Sequence, residues 1–230
     1  MSQPARRHSE RKLPVECSTD EGFVLPWWVF SNVLRPTVRG LSRLIGKFQY
    51  QGMEHIPPPG ASGYIVAANH QTYFDPFWIS VAIWHPMRYL AWDAAFDWFL
   101  VGRVIPMLGA IPLALEGGDR SAVRRALDWL RAGNVIVMFP EGGRGTPQGE
   151  ITRFKPGAVR LALETGVPIL PVTISGAHKV WNRQQIVPHR ANVRITYHPL
   201  HTVRLLPGEE ARVCARRESE ELARIIGAAL

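Results

Sequence analysis

Cysteine is scarce in this 230-residue chain, with only Cys17 and Cys214. So far apart, they form neither a redox pair nor a metal-ligand cluster, which excludes a disulfide framework and a zinc module and points to a reduced, cytosol-facing protein. Long hydrophobic runs are also missing. Residues 1–21 carry arginines but no apolar stretch behind them, which argues against a cleaved secretory signal. The longest uncharged apolar-rich stretch, 22–34, is too short to span a bilayer and contains Pro26. No Gly-x-Ser-x-Gly elbow occurs, so a serine nucleophile of that kind is absent. Acidic residues are outnumbered, 19 against 27 basic, for a net charge of +8. That excess suits an anionic partner: nucleic acid, an acidic membrane face or a phosphorylated substrate. No helix-turn-helix, zinc or aromatic-sheet motif supports the first, so no nucleic acid partner is expected.

What is present reads as one domain with a substantial core, 46% of the residues being hydrophobic. Residues 1–20 are polar and charged and are expected to be disordered. Residues 21–47 differ. Phe23, Trp27, Trp28, Phe30, Leu34, Val38, Leu41, Leu44 and Ile45 are interleaved with Arg35, Arg39, Arg43 and Lys47 at every fourth position. This is an amphipathic helix with a basic stripe. It fits an in-plane membrane helix with Trp27 and Trp28 in the interface, or a helix packed on the core with a solvated basic face. Residues 48–230 form the remaining unit.

The chain is organised around residues 64–76. Tyr64, Ile65, Val66, Ala67 and Ala68 make a continuous apolar run, which predicts a buried strand. It ends in Asn69 and His70; Asp75 and Pro76 follow and predict a helix start with Asp75 as N-cap. On one continuous helix, positions five apart lie about 140° around the axis and do not meet. With His70 on a turn before the helix, the chain can fold back and bring the carboxylate to the imidazole. A carboxylate on one ring nitrogen leaves the other as a general base. Taken alone, a lone His and Asp at this spacing read more readily as turn residues at a strand end.

Residues 135–146 repeat the layout: a buried strand, Pro140, Glu141, then Gly142, Gly143, Arg144 and Gly145. Further strands are expected at 48–53, 88–92, 110–115, 169–175 and 192–198. Helices are expected at 94–101, 119–132 (capped by Asp119, ended by Gly133) and 208–228, with another opened by residues 154–157 and running to about 165. Alternating strands and helices predict an α/β fold: a largely parallel sheet flanked by helices, with the N-terminal amphipathic membrane-associating segment added. Sites in such folds gather at the carboxyl ends of strands, where His70 and Glu141 both fall.

Asn69, His70, Asp75, and the run Phe139, Pro140, Glu141, Gly142, Gly143, Arg144 resemble the glycerolipid acyltransferases, the 1-acylglycerol-3-phosphate acyltransferase family with its HxxxxD motif. Gly109 to Leu113 and Val167 to Val172 stand where that family carries its second and fourth blocks. The resemblance covers roughly residues 45–200. It implies acyl transfer from acyl-CoA or acyl carrier protein, as donor substrate rather than cofactor, to the hydroxyl of a lysophospholipid. It implies His70 as base, oriented by Asp75. Glu141 would orient the loop or the acceptor, the backbone of Gly142, Gly143 and Gly145 would approach an anion, and Arg144 and Lys155 would bind phosphate. It also implies a peripheral or monotopic place on the cytoplasmic face of a membrane. The chain departs from the pattern at Gly143 and Gly145, where the family carries Thr and Ser. Trp92 and Leu115 stand at usually cationic positions, with Arg103 or Arg120 as substitute sources of charge. These departures leave open a lysophospholipid with a bulkier head, a lipid alcohol, or a non-catalytic membrane-surface protein.

Overall fold

A computed structural model describes residues 25–93, 105–114, 119–182, 184, 185 and 187–230, with the Trp27 side chain excepted. The expected disordered N-terminus, the helix at 94–101, and Cys17, Arg103, Leu115 and Trp27 as an interfacial side chain therefore lie outside the described residues.

Helix α1 is assembled from Trp27–Val29, a π-helical stretch Phe30–Leu34, and Arg35–Ile45. Then follow β1 (Phe48–Gln51), β2 (Tyr64–Ala68), α2 (Asp75–Ser80), β3 (Met87–Trp92), β4 (Ala110–Leu113), α3 (Arg120–Arg131), β5 (Val135–Met138), α4 (Gly157–Thr165), β6 (Ile169–Ser175), β7 (Val193–Tyr197) and α5 (Ala211–Gly227). The strands form one seven-stranded sheet in the order β1-β7-β6-β2-β5-β3-β4. Every neighbouring pair is parallel except β6 with β7. The architecture is the expected α/β fold.

The central strands are apolar throughout because both faces of the sheet are covered. Along β2 the pleat sends Tyr64, Val66 and Ala68 into the core beneath α1 and α2, with Trp78 and Ile79. Ile65 and Ala67 enter the opposite core, with Ala126 and Leu130 of α3, Ala158 of α4 and Leu222 of α5. Helix α3 begins as its sequence suggests, Asp119 accepting from the Ala122 amide at 2.9 Å.

Helix α1 belongs to the first core on one side only. Leu34, Val38 and Ile45 pack inward, whereas Trp28, Val33, Leu41 and Leu44 are more than half exposed. The basic stripe is not uniform. Arg39 and Arg43 are exposed, but Arg35 is buried, its guanidinium stacked 4.2 Å over the Trp84 ring. Burial lowers its pKa to about 10. Among the described residues no helix is long and apolar enough to cross a membrane.

The topology decides what meets at the sheet edge. Strands β2, β3, β4, β5 and β6 all end there, while β1 and β7 begin there.

Candidate active site

Strand β2 reaches this edge and is extended one residue by Asn69. Its side-chain Nδ2 donates to the Ile174 carbonyl at 2.9 Å, and its Oδ1 accepts from the Ile174 N–H at 2.7 Å. The side chain imitates another rung of the ladder to β6, fixing where the turn begins.

His70 follows on that turn. Its Nδ1 lies 2.9 Å from Asp75 Oδ2. The same carboxylate accepts from the Gln71 and Thr72 amides at 2.5 and 2.7 Å and from the Thr72 hydroxyl at 2.9 Å. Asp75 is therefore the first residue of α2, and Phe74 occupies the cap position that the sequence reading gave to Asp75. The carboxylate is drawn back over the preceding turn because two amides and a hydroxyl converge there. Asp75 is fully buried, whereas the His70 side chain keeps 18% of its exposure. A buried acceptor at Nδ1 places that nitrogen's proton toward Asp75 and leaves Nε2 with its lone pair. Phe139, at the end of β5, stacks on the imidazole at 4.1 Å between centroids and holds its plane.

Glu141 enters the same turn from the neighbouring strand. One oxygen accepts from the His70 amide at 2.8 Å; the other accepts from the amide and hydroxyl of Thr152, both at 2.8 Å. Of the two roles open to it, orienting the loop or the acceptor, its hydrogen bonds serve the first. The Gly145 amide completes the link by donating to the His70 carbonyl at 2.6 Å. The glycine amides consequently do not form the open cradle expected of them. Gly142 donates to Phe139 O and Gly145 to His70 O, leaving Gly143 as the one of the three without an acceptor among the described residues.

Two cations flank this loop. Arg144 lies over the Tyr73 ring, its Cζ 3.7 Å from the centroid, and donates to the Tyr73 hydroxyl at 2.7 Å. Lys155 lies over Gly142, where an added Cβ would come within 2.6 Å of Nζ, and Gly142 has the positive φ of 70° that glycine tolerates. Trp92 ends β3 on the same edge and is 52% exposed, and Arg120 is exposed at the start of α3.

The sequence reading assigned no role to Gln71, Tyr73, Phe139 or Thr152. Gln71 bonds to Gly149 O and the His178 amide, tying the 146–150 loop to the β6 end. Burial, then the neighbouring Lys179, lowers the His178 pKa, which favours a neutral ring beside Gln71. Only the Phe139 position carried a sequence signal, as the last apolar residue before Pro140.

A largely parallel α/β sheet thus presents an Asp-held imidazole at the strand ends from which the loop carrying Arg144 and Lys155 also leaves. Comparison with known proteins makes the class specific. A family model described as Acyltransferase matches residues 47–175, and the chain belongs to that family. It is 29% identical over 161 residues to the chloroplastic 1-acyl-sn-glycerol-3-phosphate acyltransferase LPAT1 of Arabidopsis thaliana, covering 67% of this chain and 44% of that one. It is 32% identical over 152 residues to the 1-acyl-sn-glycerol-3-phosphate acyltransferase of Borreliella burgdorferi, covering 65% and 59%. The chain thus spans about half the length of these relatives. The fold is similar to the crystal structure of the 1-acyl-sn-glycerophosphate (LPA) acyltransferase PlsC from Thermotoga maritima, with a TM-score of 0.69, 24% identity, and coverage of 89% of this chain and 81% of that one.

Proposed function

We propose that this protein transfers an acyl group from a thioester, on coenzyme A or acyl carrier protein, to the hydroxyl of a lysophospholipid. The acceptor best supported is 1-acylglycerol-3-phosphate, giving phosphatidic acid. The observation that carries this reading is the His70–Asp75 pair, a partly exposed imidazole held through Nδ1 by a fully buried carboxylate.

In this mechanism Nε2 takes the acceptor's hydroxyl proton as its oxygen attacks the thioester carbonyl. The resulting oxyanion collapses, the C–S bond breaks, and the thiolate leaves with the proton returned from the imidazolium. Asp75 stabilises the imidazolium without being protonated. The unengaged Gly143 amide is the loop donor available to the oxyanion. Arg144 swings or slides from Tyr73 to hold the acceptor phosphate in a two-nitrogen fork, and Lys155 adds a point charge. The names of the relatives support lysophosphatidic acid as acceptor. Trp92, exposed at the end of β3, favours testing bulkier-headed lysophospholipids and lipid alcohols beside it.

The outer face of α1 gives this chemistry its place. Trp28, Val33, Leu41 and Leu44 are exposed beside Arg39, Arg43 and Lys47, a combination suited to lying in the interface of an anionic leaflet. The cytoplasmic face of a membrane supplies such a surface.

The test is transfer of labelled acyl groups on vesicles, with acyl-CoA and acyl carrier protein as donors and lysophosphatidic acid, other lysophospholipids and lipid alcohols as acceptors. His70→Ala should lower turnover by about 10²–10⁴-fold or more with vesicle binding intact. Turnover by His70→Ala within tenfold of the parent would remove His70 as the base. No turnover by the parent with any donor or acceptor would leave a membrane-surface binding protein.

A further inference from the structure

A cavity of about 280 Å³ opens between the end of α1 and the loop before β7, lined by Arg43, Gly46, Lys47, Arg190, Ala191 and Asn192. Its walls are fixed by hydrogen bonds between segments far apart in sequence. The Ala191 amide donates to Ile45 O, the Val193 amide to Lys47 O, and Arg190 Nε to Leu44 O at 3.0 Å. Gly46 permits this approach, since a Cβ there would fall 1.7 Å from the Ala191 carbonyl oxygen.

Three cations from these two segments face one space. Cations near the end of a helix favour its dipole and satisfy its last carbonyls, and Arg190 Nε does this for Leu44. That role uses one nitrogen. The terminal nitrogens of Arg190, the Arg43 guanidinium and the Lys47 ammonium have no carboxylate within 4.0 Å and no acceptor among the described residues. Like charges around a shared cavity repel, and a bound anion relieves the repulsion. The volume lies at the lower bound of small-molecule pockets, roughly 300 Å³, and so fits a charged group rather than a whole lipid.

Register places the cavity relative to the active site. His70 is level with Ile174, whose partner on β7 is Ile195, and Asn192 lies three residues farther out on the same edge. Two strand spacings and three residues of rise give a separation on the order of 15 Å. The Arg144 and Lys155 loop leaves β5, on the other side of β2. The cavity is therefore separate from it.

We infer that the cavity bounded by Arg43, Lys47 and Arg190 is a phosphate-binding site distinct from the one proposed at Arg144 and Lys155. Two sources offer this chemistry at a membrane-facing edge: the headgroup of an anionic phospholipid, and the phosphates of soluble coenzyme A.

Direct binding distinguishes them and does not depend on turnover. The full chain is titrated calorimetrically with coenzyme A, and separately with phosphatidylcholine vesicles containing or lacking phosphatidylglycerol. The variants Arg43→Gln, Lys47→Gln and Arg190→Gln are compared with Arg39→Gln, which removes an exposed cation from the same helix outside the cavity. Arg190→Gln also loses its bond to Leu44, so melting temperature is followed and the first two variants keep the test independent of that bond. Each cavity variant should bind at least one probe about tenfold more weakly, whereas Arg39→Gln should keep coenzyme A binding within about twofold of the parent and lose less vesicle binding than the cavity variants do. Loss confined to coenzyme A assigns the site to the coenzyme phosphate; loss confined to phosphatidylglycerol vesicles assigns it to the headgroup. Equal losses for Arg39→Gln and the cavity variants, or no loss with either probe, would overturn the site. Failure of acyl transfer would leave this result unchanged.

Discussion

After β2 the buried carboxylate is Asp75, and it holds a side chain; after β5 the buried carboxylate is Glu141, and it holds backbone. Asp75 directs a proton on the imidazole and meanwhile accepts from two amides and a hydroxyl of its own turn. Glu141 reaches between chain segments, joining the His70 amide to Thr152. The first sets the protonation geometry of the His70 ring, whereas the second sets where that ring stands. Two strand ends with one layout thus divide the work of a single site.

Substitution of Asp75 should show the largest difference between the loops. Asp75→Asn keeps the size but replaces one acceptor oxygen by a donor, so the carboxamide cannot both satisfy its donors and support an imidazolium. Turnover should fall by about 10²–10⁴-fold, with the pH dependence of kcat altered. A fall of less than tenfold with an unchanged pH profile would mean that Asp75 only builds the turn.

Glu141→Gln comes next. It leaves one acceptor oxygen and turns an amide NH₂ toward either His70 N–H or Thr152. The expected loss is about tenfold in turnover together with about 1–3 kcal/mol in stability, measured by denaturant unfolding. Thr152→Val should lose stability in the same direction, since it removes one of the three donors. A change in acceptor KM alone, with stability intact, would move Glu141 from positioning the loop to contacting the acceptor.

The strands that frame these loops were legible because β2 and β5 are buried on both faces and need uninterrupted apolar runs. The Asp119 cap was legible because its donor is three residues away. The arrangement of Asp75 was only half visible: its pairing with His70 follows from a turn, but its withdrawal from the cap position depends on where two amides point. Glu141 and Thr152 are neighbours only because the chain between them closes into a loop. Arg35 looked like a member of an exposed stripe, yet Trp84, distant in sequence, supplies the ring that takes it inside. Helical period shows which face of α1 is apolar, not which neighbours cover it.

The smallest expected effect lies where the β5 loop meets the β2 turn, at Arg144 and Tyr73. If Arg144 binds the acceptor phosphate, Arg144→Lys keeps the charge but loses the planar fork and the stacking on Tyr73. Acceptor KM should rise about tenfold while kcat stays near the parent value. Tyr73→Phe keeps the ring under the guanidinium and removes only the hydroxyl that Arg144 now reaches. That contact must be exchanged when phosphate binds, so its loss has opposing consequences. The guanidinium is less well positioned before binding, but it has one hydrogen bond fewer to release. The two contributions should leave KM within about threefold of the parent, since a single hydrogen bond nets roughly 1 kcal/mol. Steady-state kinetics at varied acceptor concentration separates the cases. A large fall in kcat for Tyr73→Phe would show that the β2 turn and the β5 loop share the chemical step rather than dividing base and binding between them.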